Sequence, residues 1–307
     1  AGSRPDGIAR SGQLLPANPS NARPVIATEN QMELGSFELN VVSDGTFRLD
    51  GGAMFGIIPK PLWEKTDPAD ARNRILLGLN TLLVRTPDEL ILIETGLGSN
   101  YDKKFACLYA VDQKQSDLCR GLAARGLARA DVAKVVLTHL HFDHCGGNCV
   151  ANGDGALVPA FPNASYFVDR NEFAYAQEPD LRSRPSYLPW TWEPLQASGQ
   201  LTLTAATEEI ATGVEVVPSP GHTAHHKSVL IRSGDATACF LGDLVPTASH
   251  LKTHYVMGYD LFPRDTMRNK EKMLQRALNE DWLLIFAHGP TVTSGRLNAD
   301  LELVPAA

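Results

Sequence analysis

Thr138-His139-Leu140-His141-Phe142-Asp143-His144 places three imidazoles and a carboxylate within six residues, directly after the apolar run Lys134-Val135-Val136-Leu137. Residues two apart in an extended segment project to the same face. His139 and His141 therefore address one point, while a turn after them can swing Asp143 and His144 toward a second point nearby. Imidazole suits zinc, iron, cobalt and similar borderline ions, and a carboxylate adds the negative charge that a pair of close dications needs. The segment reads as half of a two-metal site at the carboxyl end of a strand, where open α/β sheets build their sites. A solvent-exposed His-rich turn is the alternative, and the rest of the chain argues against it by supplying the missing ligands.

Those ligands come singly, each after an apolar run. Val214 to Gly221 delivers His222, Ala238 to Gly242 delivers Asp243, and Trp282 to Ala287 delivers His288. A β-like run ending in a ligand-capable residue, repeated three times, is not what isolated core histidines would produce.

With these residues in place the chain resembles the metallo-β-lactamase-fold hydrolases, from about Phe37 to about Pro290. The family pattern His-x-His-x-Asp-His followed by a distant His, Asp and His matches His139, His141, Asp143, His144, His222, Asp243 and His288. The resemblance implies that His139, His141 and His222 hold one metal, that Asp143, His144 and His288 hold the other, and that Asp243 bridges them. It implies an α/β (α+β) fold, the αβ/βα four-layer sandwich of two mixed β-sheets flanked by helices. Two divalent ions per chain follow, zinc first, with iron, cobalt or manganese also compatible with the ligand set. Within the superfamily the chain is similar to quorum-quenching lactonases of the YtnP type. The residues that carry this are Asp50 to Trp63, Phe161-Pro162-Asn163-Ala164, Arg182-Ser183-Arg184, Trp192-Glu193-Pro194, Pro246-Thr247, His250, Tyr259-Asp260 and Pro263.

That likeness implies hydrolysis of lactone rings, N-acyl-homoserine lactones first, by attack of a metal-bridging hydroxide, with Asp143 as candidate proton carrier. An organophosphate (phosphotriester) hydrolase or arylesterase resembling methyl parathion hydrolase is the alternative. A metal-dependent oxidoreductase ranks lower, because both sets of nitrogen and carboxylate ligands are intact and the flavodiiron pattern would place Glu where His141 stands. A true β-lactamase is disfavoured because those enzymes lack the carboxylate that Asp243 provides. Three positions depart from the relatives. Glu94-Thr95-Gly96 replaces the commoner Asp-Thr-Gly, so a longer carboxylate must orient a metal ligand. His225, in Gly221-His222-Thr223-Ala224-His225-His226, is an extra imidazole expected at the surface or behind a ligand. Leu244-Val245-Pro246-Thr247 stands where some lactonases carry a tyrosine, leaving carbonyl polarisation to the metals or to another group.

Met54, Phe55, Trp63, Phe142, Tyr187, Trp190, Trp192, Tyr255, Tyr259 and Phe262, with His250, are candidates for the wall of a substrate pocket. Met54 and Phe55 lie in a Gly-flanked stretch read as a loop. Related lactonases use such a loop beside the active site, sometimes across a dimer interface, and a homodimer is expected.

The chain has 307 residues, 43% of them hydrophobic, enough for one large α/β hydrolase domain over 34–307 after a flexible arm over 1–33 rich in Pro, Asn, Ser and Arg. A formal charge of −7 without a basic stripe disfavours nucleic-acid substrates, so the partner is a small lactone or ester. No run approaches the ~20 apolar residues of a membrane span. A cytoplasmic enzyme is expected, with a periplasmic or secreted one open should a signal peptide have been removed. Cys107 and Cys119 bracket a polar insertion where a disulfide would fit an oxidising compartment, and free thiols are equally compatible. Helices are expected over Ser116–Gly126, Arg170–Ala176 and Asp265–Asn279, the last with a cap at Asp265-Thr266. Short strands are expected at Phe37–Val42, Thr81–Arg85 and Leu90–Glu94.

Overall fold

The structure, a computed structural model, describes residues 31–304. Most of the arm expected over 1–33 lies outside the described residues, and 31–33 belong to a strand. In chain order the first strands are β1 (Gln31–Leu34), β2 (Phe37–Asp50), β3 (Arg74–Arg85), β4 (Leu90–Ile93), β5 (Lys134–Val136), β6 (Cys149–Ala151), β7 (Leu157–Pro159), β8 (Ser165–Asp169) and β9 (Leu201–Thr204). They are followed by β10 (Glu208–Ala211), β11 (Val214–Pro218), β12 (Lys227–Ser233), β13 (Ala236–Phe240), β14 (Leu283–Ile285), β15 (Ser294–Leu297) and β16 (Leu303–Val304). One sheet has the order β1-β2-β3-β4-β5-β8-β9 and the other runs from β10 to β16 in sequence order, while β6 and β7 form a small ribbon. Both large sheets are mixed: β4, β5, β8 and β9 are mutually parallel, as are β13 and β14, and the remaining pairings are antiparallel.

Period-two alternation sorts the apolar strands between cores. In β4, Leu90 and Leu92 point to one core and Ile91 and Ile93 to another. In β13 and β14, Phe240, Leu283 and Ile285 face the sheet opposite, whereas Cys239 and Leu284 face outward. The inner layer between the sheets is thus mainly aliphatic and aromatic. Helices α4 (Leu118–Ala124), α6 (Arg170–Gln177) and α7 (Glu193–Ser198) cover the outer face of the first sheet through Leu118, Leu122, Phe173, Ala176 and Leu195. Helix α8 (Pro263–Asn279) covers the second through Leu274 and Ala277. The layers run helix, sheet, sheet, helix, which is the expected αβ/βα sandwich.

Local chemistry moved three expected boundaries. Strands β2 and β3 continue well past Val42 and start well before Thr81, because a bulge between Ser43 and Thr46 absorbs the polar stretch that reads as a break. The extended hairpin forms a platform in which Phe47, Ile75 and Leu77 pack with Met54, Phe55 and Trp63. The stretch read as a loop at Met54-Phe55 is instead a short helix, α1 (Gly51–Phe55), because the Asp50 carboxylate accepts from Ala53 N at 2.9 Å and caps it. Helix α8 begins at Pro263 rather than at an Asp265-Thr266 cap, with proline supplying a preset φ in the first turn. All five cysteines are free thiols, so no Cys107–Cys119 bridge exists; Cys107 is exposed and Cys119 accepts hydrogen bonds from the Arg129 guanidinium.

One buried ion pair joins the sheets. Asp169 ends β8 in the first sheet, Lys227 begins β12 in the second, and their charged atoms lie 2.8 Å apart with both side chains 3% exposed. The ammonium also donates to the carbonyl of Ala206. Removing one member of such a pair leaves the other charge buried without a counter-charge. Lys227→Met is therefore expected to lower unfolding stability by about 3–5 kcal/mol, while Lys227→Met combined with Asp169→Asn, which keeps the α6 cap that Asp169 makes to Asn171 N and Glu172 N, recovers part of that loss. Denaturant titration of the three proteins at fixed metal content checks this, and equal loss in single and double variants would contradict it.

Candidate metal centre

The carboxyl ends of β4, β5, β13 and β14, with the loop after β11, all open on one edge of the sandwich. Backbone direction after β5 does the first part of the work. The chain stays extended through His141 and then turns into α5 (Phe142–Cys145), so that Asp143 and His144 are redirected away from His139 and His141. Thr95 N donates to His144 O at 2.9 Å and ties this turn to the end of β4. Gly242, with φ +54, lets the chain bend immediately before Asp243, and a side chain there would strike His226 Nε2 at 2.6 Å.

Two triads result, one of His139, His141 and His222 and one of Asp143, His144 and His288, with the ligand atoms of each within 4.8 Å of one another. Asp243 lies between them: Oδ2 is 3.2 Å from His222 Nε2, while Oδ1 is 3.4 Å from His144 Nε2 and 3.2 Å from His288 Nε2. One oxygen faces each triad. All seven predicted ligands are brought together.

Outer hydrogen bonds determine which ring nitrogen points inward as a lone pair. His288 Nδ1 is 2.9 Å from the Gly78 carbonyl and His222 Nδ1 is 3.0 Å from Asp260 Oδ1, and both of these oxygens can only accept. His144 Nδ1 lies 2.8 Å from Glu94 Oε2. The Thr138 hydroxyl donates to Glu94 Oε1 at 2.5 Å, so its oxygen accepts from His139 Nδ1 at 2.9 Å. In these four rings Nδ1 therefore carries the proton and Nε2 presents a lone pair to the centre, whereas His141 is turned the other way, with Nδ1 inward. His144 Nε2 and His288 Nε2 then face each other at 3.0 Å, His139 Nε2 has no hydrogen-bond partner, and His141 Nδ1 meets His222 Nε2 at 3.0 Å, close enough to share one proton. Facing lone pairs such as those of His144 and His288 repel unless a proton or a cation lies among them.

The charges point the same way. Burial pushes His139 and His141 well below the ordinary imidazole range, and the neighbouring rings add to this. Burial also opposes charge on His144, His222 and His288, yet carboxylates overcome it: Glu94 and Asp243 raise His144, Asp243 and Asp260 raise His222, and Asp243 raises His288. Asp243, for its part, is held well below the carboxylate range by His144, His222 and His288 despite its own burial. A buried cluster with ionised carboxylates and inward nitrogens demands positive charge, and the donor set fits divalent ions. A third grouping, Glu94 with His139 and His144, is committed elsewhere, since Glu94 is engaged by Thr138 and by the outer nitrogen of His144.

Residues behind the ligands were mostly invisible in sequence. Glu94 was flagged as an orienting carboxylate, and the structure places it at His144. Thr138 and Asp260 stood only within matching stretches with no role given, and the Gly78 carbonyl and His226, whose Nε2 accepts from Asp243 N at 3.0 Å, had none either. Adjacency to the motif was a usable sign for Thr138 only. The extra imidazole, His225, is half-buried and does not belong to either triad.

A cleft of about 130 Å³ opens over the centre, lined among others by Met54, Phe142, Tyr259, Tyr109 and Arg182. Of the expected wall residues, Met54, Phe142 and Tyr259 do line it. The others do not. Phe55 is stacked between Trp63 and His250 in the platform core, with Tyr255 on its edge. Tyr187 is buried behind His141 and donates to Glu172 Oε1 at 2.7 Å. Trp192 packs under the first sheet and Phe262 is exposed outside the cleft. His250 is structural as well: the Thr247 hydroxyl donates to Nδ1 at 2.8 Å and Nε2 donates to the Met54 carbonyl at 2.9 Å. Burial holds it neutral down to about 3.

The sequence profile of the metallo-beta-lactamase superfamily matches residues 75–288. A crystal structure of a "probable metal-dependent hydrolase" from Staphylococcus aureus superposes with a TM-score of 0.84 at 30% identity, covering 90% of this chain and 97% of that one. A "probable metallo-hydrolase" of Mycobacterium tuberculosis is 28% identical over 248 residues, 70% of this chain and 76% of that protein. The N-acyl homoserine lactonase AttM of Agrobacterium fabrum is 27% identical over 175 residues, which cover 55% of this chain and 62% of that enzyme. AidC, a dizinc quorum-quenching lactonase solved with a product, shares the fold with a TM-score of 0.74 at 21% identity, over 92% of this chain and 98% of that one.

Asp260→Ala removes the acceptor that holds His222 in its inward tautomer. Competition with a chromophoric chelator is expected to show zinc affinity lower by about 10–100-fold, and unchanged affinity would refute the tautomer argument. His250 makes a second prediction through pH. Its native value of about 3 lies below the ordinary 6.5, so between these limits the unfolded chain binds a proton that the folded one refuses. Stability contributed by neutral His250 is complete above 6.5 and is lost as pH falls, with a slope approaching about 1.4 kcal/mol per pH unit. His250→Asn should flatten the pH dependence of unfolding free energy by that amount between pH 4 and 6.

Proposed function

Since the chain belongs to the metallo-beta-lactamase superfamily and is a metallo-hydrolase of that fold, we propose that it opens lactone rings, N-acyl-homoserine lactones first, with two divalent ions, zinc foremost. The observation that carries this reading is the position of Asp243, one oxygen toward each triad. His139, His141 and His222 would hold one ion, Asp143, His144 and His288 the other, and Asp243 both. Ions so held supply an activated water at neutral pH and polarise a carbonyl.

The remaining work belongs to the chain. Met54, Phe142, Leu49, Met257 and Leu261 offer an apolar wall for an acyl chain beside the centre. Asp143 is the partly exposed carboxylate of its triad, with Oδ2 3.6 Å from His288 Nε2, and it faces the cleft. It is placed to hold a proton and return it to the ring oxygen as the C–O bond breaks, so that lactone and water give the hydroxy acid. The relatives that are lactonases support this choice of substrate class.

The test is hydrolysis of N-hexanoyl-homoserine lactone and of an aryl phosphotriester, followed in parallel on one metal-quantified sample with and without chelator. Lactone turnover is expected to exceed phosphotriester turnover by orders of magnitude and to vanish on chelation. A reversed ratio would make the enzyme an organophosphate hydrolase. Asp243→Ala and His288→Ala should each lose one metal equivalent and at least about 100-fold in kcat/KM; near-normal turnover with one metal per chain would overturn the two-ion reading.

A further inference from the structure

The cleft contains a guanidinium that the lactonase reading does not use. Arg182 lines the same cavity as His141, Asp143 and Asp243. Its backbone is held by Asp180, whose Oδ1 accepts from Arg182 N and Ser183 N at 2.8 Å each. Its side chain is pinned as well, because Nη2 donates to the carbonyls of Gly258 at 2.5 Å and of Asp260 at 3.4 Å. Both acceptors are neutral. Among the described residues Arg182 forms no ion pair, and Nε and Nη1 have no acceptor.

An arginine anchored through one nitrogen keeps its planar fork oriented, and its charge stays unneutralised. The hydroxyls of Tyr109 and Tyr259, in the same lining, have no hydrogen-bond partner among the described residues and are free to donate. The carboxylates in the cleft, Asp143 and Asp243, are committed to the triads. An exposed but anchored guanidinium beside free hydroxyl donors is complementary to an acceptor-rich, anionic group. We infer that Arg182 selects esters and lactones that carry a carboxylate remote from the scissile carbonyl, the carboxylate taking the guanidinium fork while the carbonyl reaches the metal centre. This specificity rests on the hydrolase reading of the cleft and narrows its substrate class.

Binding and turnover separate the two. Calorimetry on the zinc-loaded protein would compare glutarate with butyrate, which have no bond to hydrolyse. Kinetics would compare mono-4-nitrophenyl glutarate with 4-nitrophenyl butyrate, with chelator controls. The native protein is expected to favour the second carboxylate about tenfold in both measurements. Arg182→Met should bring the ratio to near one without loss of bound metal, and Arg182→Lys should keep part of the preference. An equal preference in native protein and Arg182→Met, or none in the native protein, would overturn the inference. Should Arg182→Met fold poorly, the native ratio and Arg182→Lys still decide. Absence of chelator-sensitive hydrolysis on every substrate would instead sink the hydrolase reading, with the calorimetric ratio still judging Arg182.

Discussion

Everything at the catalytic edge of this protein depends on one electrostatic constraint. Two carboxylates and five imidazoles converge at a point where water is largely excluded, and four of the imidazoles are held so that the Nε2 lone pair points inward. The outer acceptors, Asp260, Gly78, Glu94 and Thr138, create that condition, because each takes the proton of one ring's far nitrogen. Without a cation the centre must take up protons, as the raised values of His144, His222 and His288 express. With divalent ions the same lone pairs become ligands. The outer hydrogen bonds are therefore as much a part of the site as the ligands themselves.

The sandwich exists to hold that arrangement against its own repulsion. Its inner core is mainly apolar, and the buried pair Asp169–Lys227 crosses between the sheets close to the edge where the ligands emerge. Backbone strain sits at the same edge. Glu94 has φ +63, rare for a residue with a side chain, whereas Gly242 makes its bend before Asp243 without strain. Strain of the kind at Glu94 persists where surrounding contacts over-determine it, and Glu94 is held by Thr138 and His144.

Above the centre the cleft divides chemically. Leu49, Phe142, Met257 and Leu261 make it apolar near the ligands, while Arg182, Tyr109 and Tyr259 supply donors. Other aromatic residues serve a different end. Phe55 is stacked between Trp63 and His250 with Tyr255 on its edge, forming a platform under the cleft from which Leu49, Met54 and Met257 reach it.

The candidate ligands were legible because metal chemistry restricts residue type and spacing so strongly. His139, His141, Asp143 and His144 follow one strand, and His222, Asp243 and His288 each follow an apolar run, a pattern that needs no coordinates to notice. The short apolar runs by themselves pointed only to a mixed α/β chain, and the layered sandwich followed from the family resemblance. The long β2–β3 hairpin was hidden because a bulge at polar residues looks like a chain break. What only the tertiary structure decided was which residues stand behind and above the ligands. Asp260 is 38 residues from His222 and Gly78 is 210 from His288. Aromatic and charged side chains carry no sign in sequence of whether they face a core or a cleft. Orientation of that kind arises from packing between distant segments, whereas ligand identity is written in the residues themselves.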